Sequence, residues 1–156
     1  MLLDAQLQTL AAAIRAETNQ ACVDALAIRN DVAMEAWINA ASAQSAWNPS
    51  MTGVDLFEAS DVTKFDSLTA GKRDAWRMML DFAPINFGKQ KFRKAVTDAW
   101  GATDSKAVLT ACTRPATNGE KYLGGTVATE NTIAAWKLNF SGNIPIGEIS
   151  NALNRF

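Results

Sequence analysis

Seven basic side chains crowd the stretch from residue 72 to residue 94: Lys72, Arg73, Arg77, Lys89, Lys91, Arg93 and Lys94. Phe87 and Phe92 are interleaved with them. Cations beside aromatic rings can hold a phosphate backbone by charge and by stacking. The same cations can instead meet an acidic protein face. Phe92 falls on the apolar side of its expected helix, which counts against stacking, so protein contact is the expected role. Trp47 is a second candidate contact, because tryptophan is enriched in binding hot spots. Its other reading is a loop tryptophan folded back on the core.

A catalytic apparatus is harder to assemble. The chain has no histidine, which removes Ser-His-Asp triads, Cys-His dyads, histidine zinc sites and the usual general base near neutral pH. Two cysteines, Cys22 and Cys112, are too few for a thiolate zinc site and are expected to be free and buried. Gly124-Gly125 lacks the lysine and flanking strand of a phosphate loop. The carboxylate pair Asp55/Glu58 has ordinary surface spacing, with no matching base. The expectation is therefore a non-enzyme with no catalytic, cofactor-binding or metal residues, needing no cofactor.

The elements that carry the basic cluster lie between Leu68 and Gly101. Trp76, Met79, Leu80 and Ala83 recur at helical spacing and form one apolar face. Thr69 can cap that helix and Pro84 stops it. Asn86 can cap a second helix, in which Phe92, Ala95, Val96, Ala99 and Trp100 repeat the spacing, and Gly101 is a left-handed stop. Two such faces so close in sequence predict a helical hairpin anchored by Trp76 and Trp100.

Before this hairpin, three short helices are expected. Leu7, Leu10, Ala11 and Ile14 face inward in the first, Val23, Leu26 and Ala27 in the second, and Ala33, Ala36, Trp37 and Ala40 in the third. Residues 41–66 read as an irregular loop: Ser, Asn, Pro and Gly make 43–53, around Trp47, a mobile or partner-ordered stretch, whereas 53–60 is apolar enough to lie against the core as a short helix or extended segment. After the hairpin, Thr103 or Asp104 caps a short helix. Thr117-Asn-Gly-Glu120 has capping-box spacing. Alternation over 135–141 and the turn signal Ser141-Gly-Asn allow a small β-hairpin, pairing with Ile144 and Ile146. The fold class expected is mainly α: a small helical bundle with a central helical hairpin and at most a short β-hairpin near the C-terminus, in a single domain over 1–156.

At 156 residues, 48% of them apolar, the chain has material for a core and is not disordered throughout. No run reaches the roughly 20 apolar residues of a membrane span, so no membrane role is expected. The first residues lack a basic segment and read as a mature helix rather than a signal peptide. Net charge is −1, but its distribution is uneven. Residues 1–63 carry eight acids against two bases, whereas residues 64–94 carry eight bases against three acids. Two readings are open: solvated faces pairing within the monomer, or one acidic and one basic side suited to head-to-tail rings.

The order of segments adds a resemblance. LTAGKRDAWRMML is followed by INFGKQKFRKAVTDAWG, TRPATNGEKYLGG and LNFSGNIPIGEISNAL. This series resembles a group of small helical proteins encoded among the virion structural genes of tailed bacteriophages. Leu68-Thr69, Trp100-Gly101, Arg114-Pro-Ala-Thr117 and Glu120 carry the likeness. The chain departs from the group at Trp47-Asn-Pro, where a Trp-x-Trp-Arg-type segment is common. What the resemblance implies is a structural virion protein made in the host cytoplasm, at the head–tail connector or neck. Its implied partners are further copies of itself in a ring and phage proteins such as portal or tail proteins. Another virion component, in the tail or associated with the capsid, is the alternative within that class. A small nucleic-acid-binding module using the basic hairpin is the alternative outside it.

Overall fold

The structure, a computed structural model, describes every residue except Ala83. The place expected for Ala83 on the hairpin's apolar face thus lies outside the described residues. In chain order the elements are α1 (Asp4–Ala16), α2 (Gln20–Ala27), α3 (Asp31–Ile38), β1 (Ala41–Trp47), α4 (Gly53–Glu58), α5 (Val62–Phe65) and α6 (Ala70–Asp81). There follow α7 (Gln90–Ala111), β2 (Thr113–Thr117), α8 (Asn118–Leu123), β3 (Gly125–Glu130), β4 (Ile133–Leu138) and α9 (Ile146–Arg155).

The expectation of a mainly α bundle is overturned. Alongside nine helices among the described residues stands a four-stranded mixed sheet of order β2-β1-β4-β3. Strands β1 and β4 run parallel, with Ala46 opposite Trp136. Within the expected irregular loop over 41–66, residues 41–47 are instead strand β1, 53–58 form a short helix with Leu56 buried against the core as expected there, and a second short helix, α5, follows. The expected β-hairpin pairing with Ile144 and Ile146 does not form either. Its turn lies earlier, at Asn131-Thr132, where φ is +44° and +71°, and joins β3 to β4. Positive φ at both central residues matches the right-handed twist of a two-residue hairpin. Ile144 is a buried core residue and Ile146 opens α9.

Two compact units divide the chain, each with a core of its own. The first comprises Met1–Gln44, Pro115–Gly125 and Leu138–Phe156. Here α1 buries Leu7, Leu10, Ala11 and Ile14, as its periodicity predicts. The next two helices turn by about one position from expectation. Cys22 and Ala25 are buried in α2 while Val23 is exposed, and Met34 and Ile38 are buried in α3. Both helices are capped by asparagine: Asn19 Oδ1 accepts from the Ala21 N–H and Asn30 Oδ1 from the Ala33 N–H, both at 3.1 Å. In α8 the capping box forms fully. The Glu120 N–H donates to Thr117 Oγ1 at 3.1 Å, and the Thr117 N–H donates to Glu120 Oε2 at 2.9 Å. Glu120 is itself buried, and its other oxygen accepts from the Gly142 N–H at 2.9 Å. The amphipathic α9 closes this core with Ile149, Ala152 and Leu153.

The second unit comprises Ser45–Arg114 and Thr126–Lys137, and it holds the basic cluster. Its core gathers Trp47, Leu56, Trp76, Ile85, Phe87, Val96, Trp100 and Leu109 around the expected hairpin of α6 and α7. Trp76 and Trp100 meet edge to face, with ring centroids 5.4 Å apart at 89°. The predicted stop at Gly101 is real: its φ of +77° breaks α7 into two helical segments. Thr69 occupies the cap position of α6 without a side-chain bond. Asn86 serves the turn instead of the helix, accepting from the Gly88 N–H at 2.8 Å, while Lys89 takes the cap position of α7. The segment after β1 is pinned across the hairpin turn. Met51 and Ile85 exchange both backbone hydrogen bonds, at 3.0 and 2.7 Å. Among the described residues no helix is long and apolar enough to cross a membrane.

Candidate functional site

The basic cluster divides into two populations. Lys72, Arg77, Lys89, Lys91 and Lys94 are exposed and Arg73 is half-buried. Arg93 and Trp47 are interior, 4% and 1% exposed. Arg93 donates from Nη1 to the Phe87 carbonyl at 2.6 Å, and its guanidinium lies 5.1 Å from the Trp47 ring centre. Trp47 in turn donates from Nε1 to the Ala128 carbonyl at 2.8 Å. Burial pushes the Arg93 guanidinium below its ordinary range and the nearby Glu130 carboxylate opposes that shift. These two residues build the second core and do not present a surface.

The exposed cations differ in what engages them. Lys94 pairs with Asp98 at 2.8 Å and Arg77 with Asp74 at 3.7 Å, the latter also covering the Phe65 ring at 5.4 Å. Arg73 donates to the Asp66 carbonyl at 3.1 Å. Lys72, Lys89 and Lys91 have no acidic partner within 4.0 Å among the described residues. Lys91 lies against the neighbouring Phe92 ring, 4.9 Å from its centre.

Between α6 and α7 lies an apolar groove of about 370 Å³ with Lys91 in its wall. Ala75, Met78, Met79 and Phe82 supply its α6 side, and Phe92, Ala95 and Ala99 its α7 side. Met78 and Phe82 are 63% and 56% exposed, although large apolar side chains gain by burial. A shallower depression of about 290 Å³ adjoins it, lined by Gly71, Lys72, Ala75, Ala95, Asp98 and Ala99. Sequence reasoning found the cations and missed the groove. The signal was present: Ala75, Met78, Met79 and Phe82 widen the apolar arc of α6 beyond the Trp76 stripe that suffices for the hairpin core.

A second exposed apolar feature belongs to α4 and α5. Val54, Phe57 and Val62 are exposed, flanked by Asp55, Glu58 and Asp61. Asp55 and Asp61 are held below the usual carboxylate range, chiefly by hydrogen bonds from Thr52 and Thr63. The polar atoms here work as caps: Thr52 Oγ1 accepts from the Asp55 N–H at 3.2 Å.

Neither thiol is placed for chemistry. Both cysteines are free and buried, as expected from the sequence. Burial pushes Cys112 up to about 12, so it stays a thiol at neutral pH. Cys22 is raised too, by burial first and by the Glu17 charge second. Among the described residues no group of three or more acidic or cysteine side chains could hold a metal ion. No protein-family model, curated protein or solved structure matches the chain.

Proposed function

We propose that the chain is a structural virion protein of a tailed bacteriophage, a head–tail connector or neck component that acts by assembling into a ring. The virion assignment rests on the segment order LTAGKRDAWRMML to LNFSGNIPIGEISNAL and its likeness to that group of proteins. The single observation that carries assembly is the α6–α7 face. There an exposed apolar groove has Lys91 in its wall and Lys72 in the depression beside it, neither with an acidic partner within 4.0 Å among the described residues. A contiguous apolar surface rimmed by charge is what an interaction site presents. The first unit contains seven acidic residues against four basic ones, the second nine against eleven. Charges so divided favour unlike surfaces meeting, as in rings.

Nucleic-acid binding by the hairpin is the competing use of the same lysines. Asp74, Asp81 and Asp98 are interleaved with them on the same two helices, and Phe92 is half-buried in the groove rather than displayed for stacking. Native mass spectrometry of the purified chain tests the reading, together with protein analysis of purified particles of the genome that encodes it. The expected results are a closed oligomer of fixed copy number and the chain present in the particle. A monomer at every concentration, with affinity for DNA that falls steeply with salt, would sink it.

A further inference from the structure

The α6–α7 groove and the exposed apolar face of α4–α5, the ridge, carry opposite charge beside their apolar side chains. The groove is concave, apolar and bordered by Lys72 and Lys91. The ridge exposes apolar side chains, Val54, Phe57 and Val62 at 66%, 54% and 52%, and Phe57 and Val62 also line a hollow of about 220 Å³ against Trp76 and Leu80. Its acids are Asp55, Glu58 and Asp61, and Glu58 has no charged partner within 4.0 Å among the described residues. Each feature thus leaves exposed what the other would cover.

Their placement in the second unit decides whether they could meet within one chain. Gly71, Ala75, Met78 and Phe82 form a narrow stripe on α6, at 3.6 residues per turn. Arg77 and Leu80 point roughly 130° and 170° away from that stripe. The α4–α5 segment sits on their side: Gly53 packs so close to Leu80 that a Cβ there would lie 1.8 Å from the Leu80 carbonyl oxygen, and Phe65 lies under Arg77. Groove and ridge therefore flank α6 on opposite sides. The ridge cannot reach its own groove, whereas the ridge of another copy can.

We propose that the α4–α5 ridge of one copy docks in the α6–α7 groove of the next, with Phe57 and Val54 entering between Met78, Phe82 and Phe92 and with Glu58 against Lys91. The contact joins two different patches, so it is heterologous and propagates head to tail until a rotation closes it. Small side chains at Gly71, Ala75, Ala95 and Ala99 let the incoming segment approach closely; nothing lies within 4 Å of a Cβ placed at Gly71. This inference rests on the ring reading above and names the surfaces that would make the ring.

A mixing experiment by sedimentation velocity tests it. One variant, M78D/F82D, loses the groove; another, V54D/F57D, loses the ridge. All four positions are exposed, so each variant is expected to keep the wild-type circular dichroism and melting profile, and an unfolded variant is replaced by Ala75→Trp or Glu58→Arg. The expected result is that the wild type forms the closed oligomer and each variant alone is monomeric. Mixed, the two variants form a one-to-one complex and nothing larger, because each retains one competent half. Lys91→Glu should weaken assembly about tenfold, and pairing it with Glu58→Lys should restore most of the loss. A wild type that assembles while either variant still assembles, or variants that stay monomeric when mixed, would overturn the docking and leave the ring standing. A wild type that never assembles overturns both.

Discussion

At the scale of single residues, the basic cluster teaches that charge in sequence is not charge on a surface. Arg93 lies at the same spacing as its neighbours yet faces the second core, bonded to the Phe87 carbonyl and stacked on Trp47. Reversing 89, 91, 93 and 94 together would unfold the unit before it tested any contact. Arg93→Ala alone is expected to cost about 2–4 kcal/mol, from a charged hydrogen bond and a desolvated cation–π contact. The same change at Lys89 should fall within about 0.5 kcal/mol, as for other surface positions. Urea unfolding of both variants checks the contrast. Trp76 and Trp100, 1% and 4% exposed, were legible as core anchors because their spacing matches the apolar faces of both helices. Replacing either by Ala should cost about 3–5 kcal/mol, and neither indole should be reached by an aqueous quencher. For Trp47 the reading of a tryptophan folded back on the core holds, at 1% exposed, but its polar neighbours hid the strand that it ends.

The pair Glu17–Tyr122 sets an acid-side response at the same scale. Tyr122 donates to the Glu17 carboxylate, which is held below its ordinary range by that bond first and by the Asn19 and Thr18 N–H groups with it. The phenol's own pKa is raised, by burial first, so it remains a donor across the accessible range. A depressed carboxylate contributes stability above its unfolded pKa and loses it as pH falls through the folded value. Tyr122→Phe should therefore be less stable than wild type at neutral pH, with the difference shrinking below about pH 4. Thermal melts at neutral and acidic pH read this directly.

At the scale of elements, helices were legible and the sheet was not. Capping signals and 3.6-residue periodicity are local, and they placed α1, α6 and α8 near their observed bounds and the break at Gly101 inside α7, which starts at Gln90 rather than at an Asn86 cap. Strand β1 is ASAQSAW and β2 is TRPAT, with little β-branched or aromatic content and no sustained alternation. Such segments become strands through pairing with distant partners, which no window of sequence displays. The alternation over 135–141 was seen, but its partners were misassigned, because the parallel pairing of β1 with β4 spans some 90 residues. The groove is hidden for a related reason: Met79, Phe92, Ala95 and Ala99 belong to the apolar faces that build the hairpin, while Ala75, Met78 and Phe82 lie beyond the Trp76 stripe.

Two elements carry tests of their own. Thr132 is β-branched and sits at φ +71° in the β3–β4 turn, a conformation costly for any residue but glycine. Thr132→Gly should stabilise the protein by about 1 kcal/mol. Asn131 should be kept in that variant, because its Nδ2 donates to the Ala102 carbonyl and to Ser105 Oγ, at 2.5 and 2.7 Å. Gly53→Ala should do the opposite, since its Cβ would strike the Leu80 carbonyl and force α4 away from α6. The expected loss is about 1–3 kcal/mol, with faster amide exchange in α4, and an unchanged melting temperature would contradict the close approach.

At the scale of the whole molecule, the division of charge and the exposed apolar surface make different demands on solvent, and assembly should register both. Lysine–carboxylate contacts at a rim are screened over about 10 Å at 0.1 M salt. Burial of Phe57 and Met78 is not screened, and sulfate strengthens it by its exclusion from protein surface. Sodium chloride should therefore weaken wild-type assembly up to a plateau without abolishing it, whereas sodium sulfate at equal ionic strength should weaken it less or restore it. A Lys91→Gln variant should begin near that plateau and respond little to chloride, because its rim attraction is removed, whereas Lys91→Glu, facing Glu58, should begin below it and gain from chloride as the repulsion is screened. DNA binding by the same lysines would behave otherwise, since counterion release makes affinity fall linearly in logarithmic terms, with no plateau. Sedimentation velocity across the two salts separates the cases. Assembly that vanishes entirely in chloride would mean that the groove contributes nothing, and that lysines alone hold the copies together.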